Sequence, residues 1–206
     1  MSVRRVFLYS GIVSPILWLA LIASAGAITP QFDHTTHYIS ELAARGSATE
    51  LWMRVVAFGL TGSLYVCFAA GLSAAMRRTA LVLIACALIA VEGLGRMGAG
   101  VFPCDPGCVR ISSTQDLHKL FATIGFVSGI VAAVLWGVLL RGLAPFRRLS
   151  WPSIACGIIA AVALTLMSWD DNPVRVPGFF EHLATAVLSV WILLLATSAI
   201  RYDARH

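Results

Sequence analysis

The chain has 206 residues, of which 59% are hydrophobic and only 12% are charged, and its mean hydropathy is +0.85. Because an average soluble domain has about 25% charged residues, this composition excludes a water-soluble fold. The formal net charge of +5 does not indicate a nucleic-acid partner. The basic residues stand in short clusters at the ends of apolar runs, such as Arg4-Arg5 and Arg147-Arg148. That distribution is typical of the cytoplasmic loops of membrane proteins.

Six apolar runs are long enough to cross a bilayer, which takes about 20 helical residues. They are Val6–Ile28, Leu51–Met76, Ala80–Val101, Leu117–Leu140, Trp151–Trp169 and Gly178–Ile200. The first run resembles a signal peptide, but it is longer than the roughly 15 residues of such a core, which predicts a retained span. Arginines at the first span, both inner connections and the tail place both termini in the cytoplasm. The sequence predicts one all-α domain over residues 1–206: a six-helix bundle in the cytoplasmic membrane, N-in and C-in, with a polar cavity on the extracytoplasmic side.

The three other connections, 29–50, 102–116 and 170–177, are then on the extracytoplasmic side. The middle one contains Phe102-Pro103-Cys104-Asp105-Pro106-Gly107-Cys108, which cannot continue a helix. Cys104 and Cys108 are the only cysteines in a predicted outer loop. An oxidising exterior favours a disulfide between them, and metal ligation by the pair is the alternative.

The first outer connection predicts a short interfacial helix from Thr36 to Ala44. On that helix, His37, Glu41 and Arg45 are spaced i, i+4, i+8 and share one face. A histidine and an acidic residue also stand at the outer ends of the fourth and sixth spans. These pairs are Asp116 with His118 and Glu181 with His182.

Three imidazoles at one depth of a small bundle suggest a metal site. Zinc binds neutral imidazoles, and a catalytic zinc keeps one position open for a water whose pKa it lowers. The pattern predicts His37, His118 and His182 as ligands of one zinc or other transition metal ion.

Several other side chains are candidates for the chemistry itself. Glu41, Asp105 and Glu181 would act as general bases or would orient the imidazoles. A metal-free hydrolase or transferase would instead use a hydroxyl nucleophile with a nearby histidine as base. The candidate nucleophiles are Ser40, Ser112, Ser113 and Thr36. Alternatively, these polar groups only cap helices and meet water at the interface.

The third span carries Glu92 and Arg96 one helical turn apart, with glycines around them. Charges at this depth are costly and usually face the bundle interior. A structural ion pair and the floor of a functional cavity both fit this pattern. Arg96 and Arg175, with Glu92 beside Arg96, are the predicted substrate-binding residues, because a guanidinium suits phosphate and carboxylate groups.

The segments His37-Tyr38-Ile39-Ser40-Glu41-Leu42 and Phe102-Pro103-Cys104-Asp105-Pro106-Gly107, with the later His118 and His182, resemble the domain of unknown function 998 family. These are multi-pass prokaryotic membrane proteins of about this length. The resemblance covers nearly the whole chain, implies six spans with outer polar motifs, and supplies no activity. In composition alone, the outer His, Ser and Asp residues also resemble the site of intramembrane zinc hydrolases of the ceramidase type. This chain has six spans rather than seven and lacks their closing His-x-x-x-His pair.

Together these observations predict a membrane-embedded, metal-assisted hydrolase or transferase that acts on a lipid-like substrate at the outer leaflet. The expected partner is membrane lipid. One alternative is a non-enzymatic module that transports a solute or binds a lipid or a cofactor such as haem. Another is a small structural subunit of a membrane complex. The sequence does not indicate an oligomeric state.

Overall fold

The computed structural model describes residues 2–169 and 173–204. Within these residues, six helices are long and apolar enough to span a membrane. They are α1 Val3–Ile28, α2 Glu50–Ala75, α3 Ala80–Val101, α4 Ser113–Leu140, α5 Ser150–Met167 and α6 Pro177–Asp203. No strand occurs in these two ranges, so the predicted all-α architecture with six spans is confirmed. The N-in orientation stays a prediction.

The helix bounds follow the apolar runs closely. α3 has the predicted bounds, and α4 begins at Ser113, four residues before the predicted start. Asp116 lies in the first turn of α4, where a carboxylate interacts favourably with the helix dipole. α5 begins one residue before and ends two residues before the predicted bounds of the fifth span, and a 3₁₀-helix at Ala144–Leu149 leads directly into it.

The six helices form a closed ring. Each helix packs against the next one along the chain, and α6 packs back against α1. We call the end that holds His34, His37, His118 and His182 the histidine end; connections 29–49 and 102–112 and the described residues between α5 and α6 are found there. The opposite end, which holds Arg4 and Asp203, is the terminus end. There Arg4 and Arg5 pair with Asp203, which ties α1 to α6.

Apolar side chains fill the centre of the ring and its terminus-end half. Phe68, Leu72, Ile89, Trp136 and Leu140 are completely buried in one cluster. Burial of such side chains contributes about 1.5–3 kcal/mol each to folding when transfer from water is the reference. This cluster is the main apolar core of the bundle.

The histidine-end half contains a second apolar cluster, which includes Trp18, Met53 and Phe58, and close backbone contacts between helices. A Cβ atom on Gly95 of α3 would lie 2.6 Å from the Cα atom of Gly125 on α4, so these helices touch backbone to backbone. In the same half, Met53–Leu60 of α2 is a π-helix. Such segments inside α-helices are frequent at functional sites.

The predicted helix from Thr36 to Ala44 is shorter than expected. Only Ile39–Ala43 is helical, and it is a 3₁₀-helix. The predicted shared face of His37, Glu41 and Arg45 is therefore wrong, since two of these residues lie outside the helix. The physical reason is burial: Ile39, Ser40, Leu42 and Ala43 are all buried, so the segment packs on every side and is not a surface helix.

Candidate active site

Ser40 and His118 face each other at the histidine end. The Ser40 Oγ atom is 2.9 Å from Nε2 of His118. The other ring nitrogen, Nδ1, is 2.8 Å from the carbonyl oxygen of Phe102 and 3.0 Å from that of Ala99. Ser40 is 7% exposed and His118 is 4% exposed. The histidine therefore has polar partners on both nitrogens and little contact with solvent.

These partners determine which nitrogen carries hydrogen. A carbonyl oxygen can only accept, so Nδ1 must donate to Phe102 and Ala99. In the neutral ring, Nε2 then has no hydrogen and accepts the O–H of Ser40. This is the arrangement in which a histidine can withdraw a proton from a serine hydroxyl.

The C-terminal end of α3 explains why the carbonyl groups are available. The last carbonyls of a helix have no partner within it. The oxygen of Ala99 would normally bond to the amide of residue 103, but that residue is Pro103 and has no N–H. His118 of α4 satisfies this orphan carbonyl. The turn after α3 thus fixes the imidazole.

Two of the predicted catalytic carboxylates hold the backbone around Ser40. Glu181 of α6 accepts a hydrogen bond of 2.7 Å from the amide of Ile39. Glu41 accepts one of 2.8 Å from the amide of Tyr38. Both bonds stabilise the start of the 3₁₀-helix that carries Ser40.

The third predicted carboxylate, Asp105, organises the connection after α3. It accepts hydrogen bonds from the amides of Ile111 and Ser112, at 3.0 and 2.7 Å, and from the Ser112 hydroxyl. Burial alone would raise the pKa of Asp105, but these amide donors outweigh it and hold the pKa below its usual value. Asp105 is therefore an ionised anchor of this loop.

A disulfide bond joins Cys104 to Cys108 in the same loop. Cys104 is completely buried, and its sulfur is 3.2 Å from the carbonyl oxygen of Ser40. The amide of Arg45 donates to the carbonyl of Cys104. The disulfide loop thus packs directly on the Ser40 segment.

His34, His37 and His182 make their hydrogen bonds with groups other than His118. Nδ1 of His34 is 3.2 Å from Nε2 of His182, and Nδ1 of His37 accepts from the amide of Asp33. Within residues 2–169 and 173–204, no three His, Cys, Asp or Glu residues are grouped so that they could hold a metal ion. His37, His118 and His182 are thus not brought together. A zinc ion at these residues stays a prediction.

A groove of about 760 Å³ begins at the Ser40–His118 pair. Its walls come mainly from α4 and from the end of α5. On α4 the lining residues recur every three or four positions, and they are Gln115, His118, Lys119, Ala122, Thr123, Phe126 and Val127. The α5 side contributes Leu164, Thr165, Met167, Ser168 and Trp169. The groove is therefore polar near the histidine end and more apolar toward the middle of the bundle.

A second, smaller cavity of about 50 Å³ lies on the other side of Ser40, and we call it the chamber. Trp18, Phe58, Glu92, Arg96 and Thr185 are among its lining residues. Ser40, Ala122, Phe126 and Glu181 line both the groove and the chamber. Ser40 thus stands between the two spaces.

Arg96 occupies the chamber with few hydrogen bonds. Its Cζ atom is 4.3 Å from the ring centre of Trp18 and 4.6 Å from that of Tyr65. The Nη2 atom of Arg96 lies 3.8 Å from Oε1 of Glu92, which is long for an ion pair. Its Nη1 atom donates one weak hydrogen bond of 3.4 Å to the Thr61 hydroxyl. Arg175 is exposed and is not among the residues that line the groove or the chamber.

Residues 12–198 match the family described as "Protein of unknown function (DUF998)". The chain belongs to this family. The resemblance predicted from the sequence motifs is thereby confirmed. No curated protein and no solved structure matches the chain.

The sequence did not identify several site residues of this DUF998 protein. Trp18, Phe58 and Thr185 line the chamber, and Lys119 lines the groove. One signal was present for Thr185, because it follows Glu181 by one helical turn on the same face of α6. No comparable signal marks Trp18 and Phe58, because apolar residues in a membrane span carry no pattern that distinguishes a cavity wall from a lipid contact.

Proposed function

We propose that this DUF998 protein is a membrane-embedded hydrolase or transferase that transfers the acyl group of a lipid-like substrate through Ser40. The observation that carries the proposal is the 2.9 Å contact between Ser40 Oγ and His118 Nε2, together with the two carbonyls that hold Nδ1. Nucleophile, base and orienting group are thus all present in one buried cluster.

In the proposed reaction, Ser40 Oγ attacks the carbonyl carbon of an ester or amide. His118 Nε2 takes the hydroxyl proton and gives it to the leaving alcohol or amine. The product of this step is an acyl–Ser40 ester. Transfer of the acyl group to water or to another alcohol then restores the serine. The carbonyls of Phe102 and Ala99 stabilise the positively charged imidazole that forms on the way.

The groove supports a lipid as substrate. Its end near Gln115 and Lys119 is polar, and its deeper part at Phe126, Val127 and Leu164 is apolar. A lipid with its headgroup at the histidine end and an acyl chain along α4 matches this gradient. The ester linkage of such a lipid lies between headgroup and chain, and in this pose it would reach Ser40, which lines the groove.

Two basic residues at the histidine end suit a lipid with an anionic headgroup. The exposed Lys119 lines the mouth of the groove and would bind an anionic headgroup, with Arg175 as a further cation at the same end. Arginine clusters lie at the terminus end, which favours the outer leaflet for the histidine end. Glu41, Asp105 and Glu181 act in this proposal as positioning residues, since each accepts backbone amides.

Covalent labelling of the purified protein tests the proposal. A fluorophosphonate probe should modify Ser40, as read by mass spectrometry of the labelled peptide. Ser40→Ala and His118→Ala should both abolish labelling, whereas the matched control Ser113→Ala, at an exposed serine, should not. Labelling that persists in Ser40→Ala at the wild-type rate contradicts the proposal.

A metal-assisted reaction at His37, His118 and His182 is the alternative proposal. It requires His37 and His182 to leave their present partners and His118 to release Ser40. Elemental analysis of protein purified without chelators distinguishes the two proposals. About one transition metal ion per chain, lost in the triple alanine variant, would support the metal-assisted reaction.

A further inference from the structure

The chamber beneath Ser40 contains buried polar atoms that lack partners. Within the described ranges, no group bonds to Glu92 Oε2 or to the indole nitrogen of Trp18, and both residues line the chamber. Both residues are at least nine-tenths buried.

Buried polar atoms without a hydrogen-bond partner destabilise a membrane-spanning bundle. An unpaired polar group away from water costs several kcal/mol in hydrocarbon, so membrane proteins satisfy it internally. Glu92 offers an acceptor, Trp18 a donor and Arg96 further donors. Water satisfies all three at once, because it both donates and accepts.

The chamber has room for such water. Its volume of about 50 Å³ corresponds to about four molecules, at roughly 10–15 Å³ of accessible volume for each. Its walls also provide the two to four polar partners that a buried water needs. Both requirements for a hydrated internal cavity are met.

We infer that the chamber holds a cluster of ordered water that supplies the nucleophile for release of the acyl group from Ser40. This inference rests on the proposed function and narrows it: the reaction is hydrolysis of an acyl lipid, not transfer to another alcohol. The acyl chain occupies the groove on one side of Ser40, and water reaches the ester from the chamber on the other side.

In the second half of the reaction, water releases the acyl group from Ser40. A chamber water attacks the carbonyl carbon of acyl–Ser40, and His118 Nε2 takes one proton from that water. The bond between the carbonyl carbon and Ser40 Oγ breaks, and His118 returns the proton to Oγ. The products are a carboxylic acid and free Ser40. Glu92 and Arg96 hold the water cluster in place as positioning residues.

Exchange of indole hydrogens tests for the water without any substrate. In ¹⁵N-tryptophan-labelled protein transferred to D₂O, the Trp18 Nε1–H signal should decay at least tenfold faster than those of Trp136 and Trp191. These two are matched controls, because they are at least as buried and their indole nitrogens also lack partners, but they lie in the apolar core and do not line the chamber. Equal exchange of all three would overturn the inference.

A chamber-filling variant tests the role of the water. Thr185→Leu replaces a hydroxyl that lines the chamber with a larger apolar group. With p-nitrophenyl octanoate as probe, the initial burst of p-nitrophenol should remain, while steady-state turnover falls at least tenfold and octanoyl–Ser40 accumulates in the intact mass. Thr185→Val, which removes the hydroxyl at nearly constant volume, should give a smaller effect. Thr197→Leu on the same helix should change neither phase.

The outcomes separate the inference from the proposed function. If wild-type protein forms no octanoyl–Ser40, the proposed function fails and the catalytic role of the water fails with it. If Ser40 is acylated but Thr185→Leu releases the octanoyl group at the wild-type rate, only the inference is overturned. Trp18 exchange decides in either case whether water is present.

Discussion

The two halves of the bundle differ in what they enclose. In the terminus-end half and the centre, large apolar side chains such as Trp136, Phe68 and Leu140 are completely buried. The histidine-end half also buries apolar side chains such as Trp18 and Phe58, but it contains the chamber and the Ser40–His118 pair as well. The difference teaches that the apolar core can hold the ring together while the other half accommodates a cavity and buried polar groups.

The largest expected effect concerns the chemistry. His118→Gln keeps a polar side chain but removes the base, and we expect kcat on an ester probe to fall by about 10³-fold or more. The matched change in the other half is Ser153→Ala, which removes a buried hydroxyl bonded to the carbonyl of Ala133. That variant should retain its kcat. Equal losses in both variants would show that the halves are not functionally separate.

The next largest effect concerns stability. Trp136→Ala in the core should lower the free energy of unfolding by about 3–5 kcal/mol. Phe58→Ala should cost less, because Phe58 lines the chamber and so has fewer packing partners on that side. Unfolding equilibria in bicelles measure both variants. A greater loss for Phe58→Ala than for Trp136→Ala would reverse the assignment of the stable half.

A change that moves α3 away from α4 in the histidine-end half should have a smaller effect. Gly95→Ala forces α3 away from Gly125 and should destabilise the protein by about 1–3 kcal/mol. It should also lower kcat, since α3 supplies the carbonyl of Ala99 to His118. Gly59→Ala is the control, because its new Cβ would meet only the Arg54 carbonyl oxygen at 3.4 Å. Similar stability losses in both variants would argue against backbone packing at Gly95.

Loss of the disulfide should have a modest effect. Cys108→Ser frees Cys104, which packs on the carbonyl of Ser40, so we expect kcat to fall by a few-fold while the six helices remain. Circular dichroism checks the helices, and acylation kinetics check Ser40. Cys67→Ser, at a free cysteine within α2, is the control. An unchanged rate in Cys108→Ser would mean that the loop does not position Ser40.

The smallest expected effect is that of metal removal. In the proposed serine mechanism, dialysis against 1,10-phenanthroline should leave Ser40 acylation unchanged. A loss of acylation that zinc restores would contradict this expectation and support the three-histidine site. The same samples give the metal content directly.

The sequence predicted the fold better than the site, for physical reasons. Span positions depend on runs of apolar residues, which are local, and α3 was therefore predicted with its observed bounds. The pairing of Ser40 with His118 joins residues 78 positions apart and depends on how the ring closes. One local clue was present: Pro103 leaves the carbonyl of Ala99 without an amide partner. The chamber depends on side-chain packing among five helices, so no single segment could reveal it.

Closure of the ring has a consequence for biosynthesis. The amide of Ile39, in the first connection, donates a hydrogen bond to Glu181 of the last helix. The same helix, α6, also packs against α1 and closes the ring. During translation, five helices can enter the membrane before this support exists. The Ser40 segment therefore reaches its final conformation only when the last helix is inserted. In the proposed serine mechanism, a nascent chain should therefore show no Ser40 acylation until α6 is inserted.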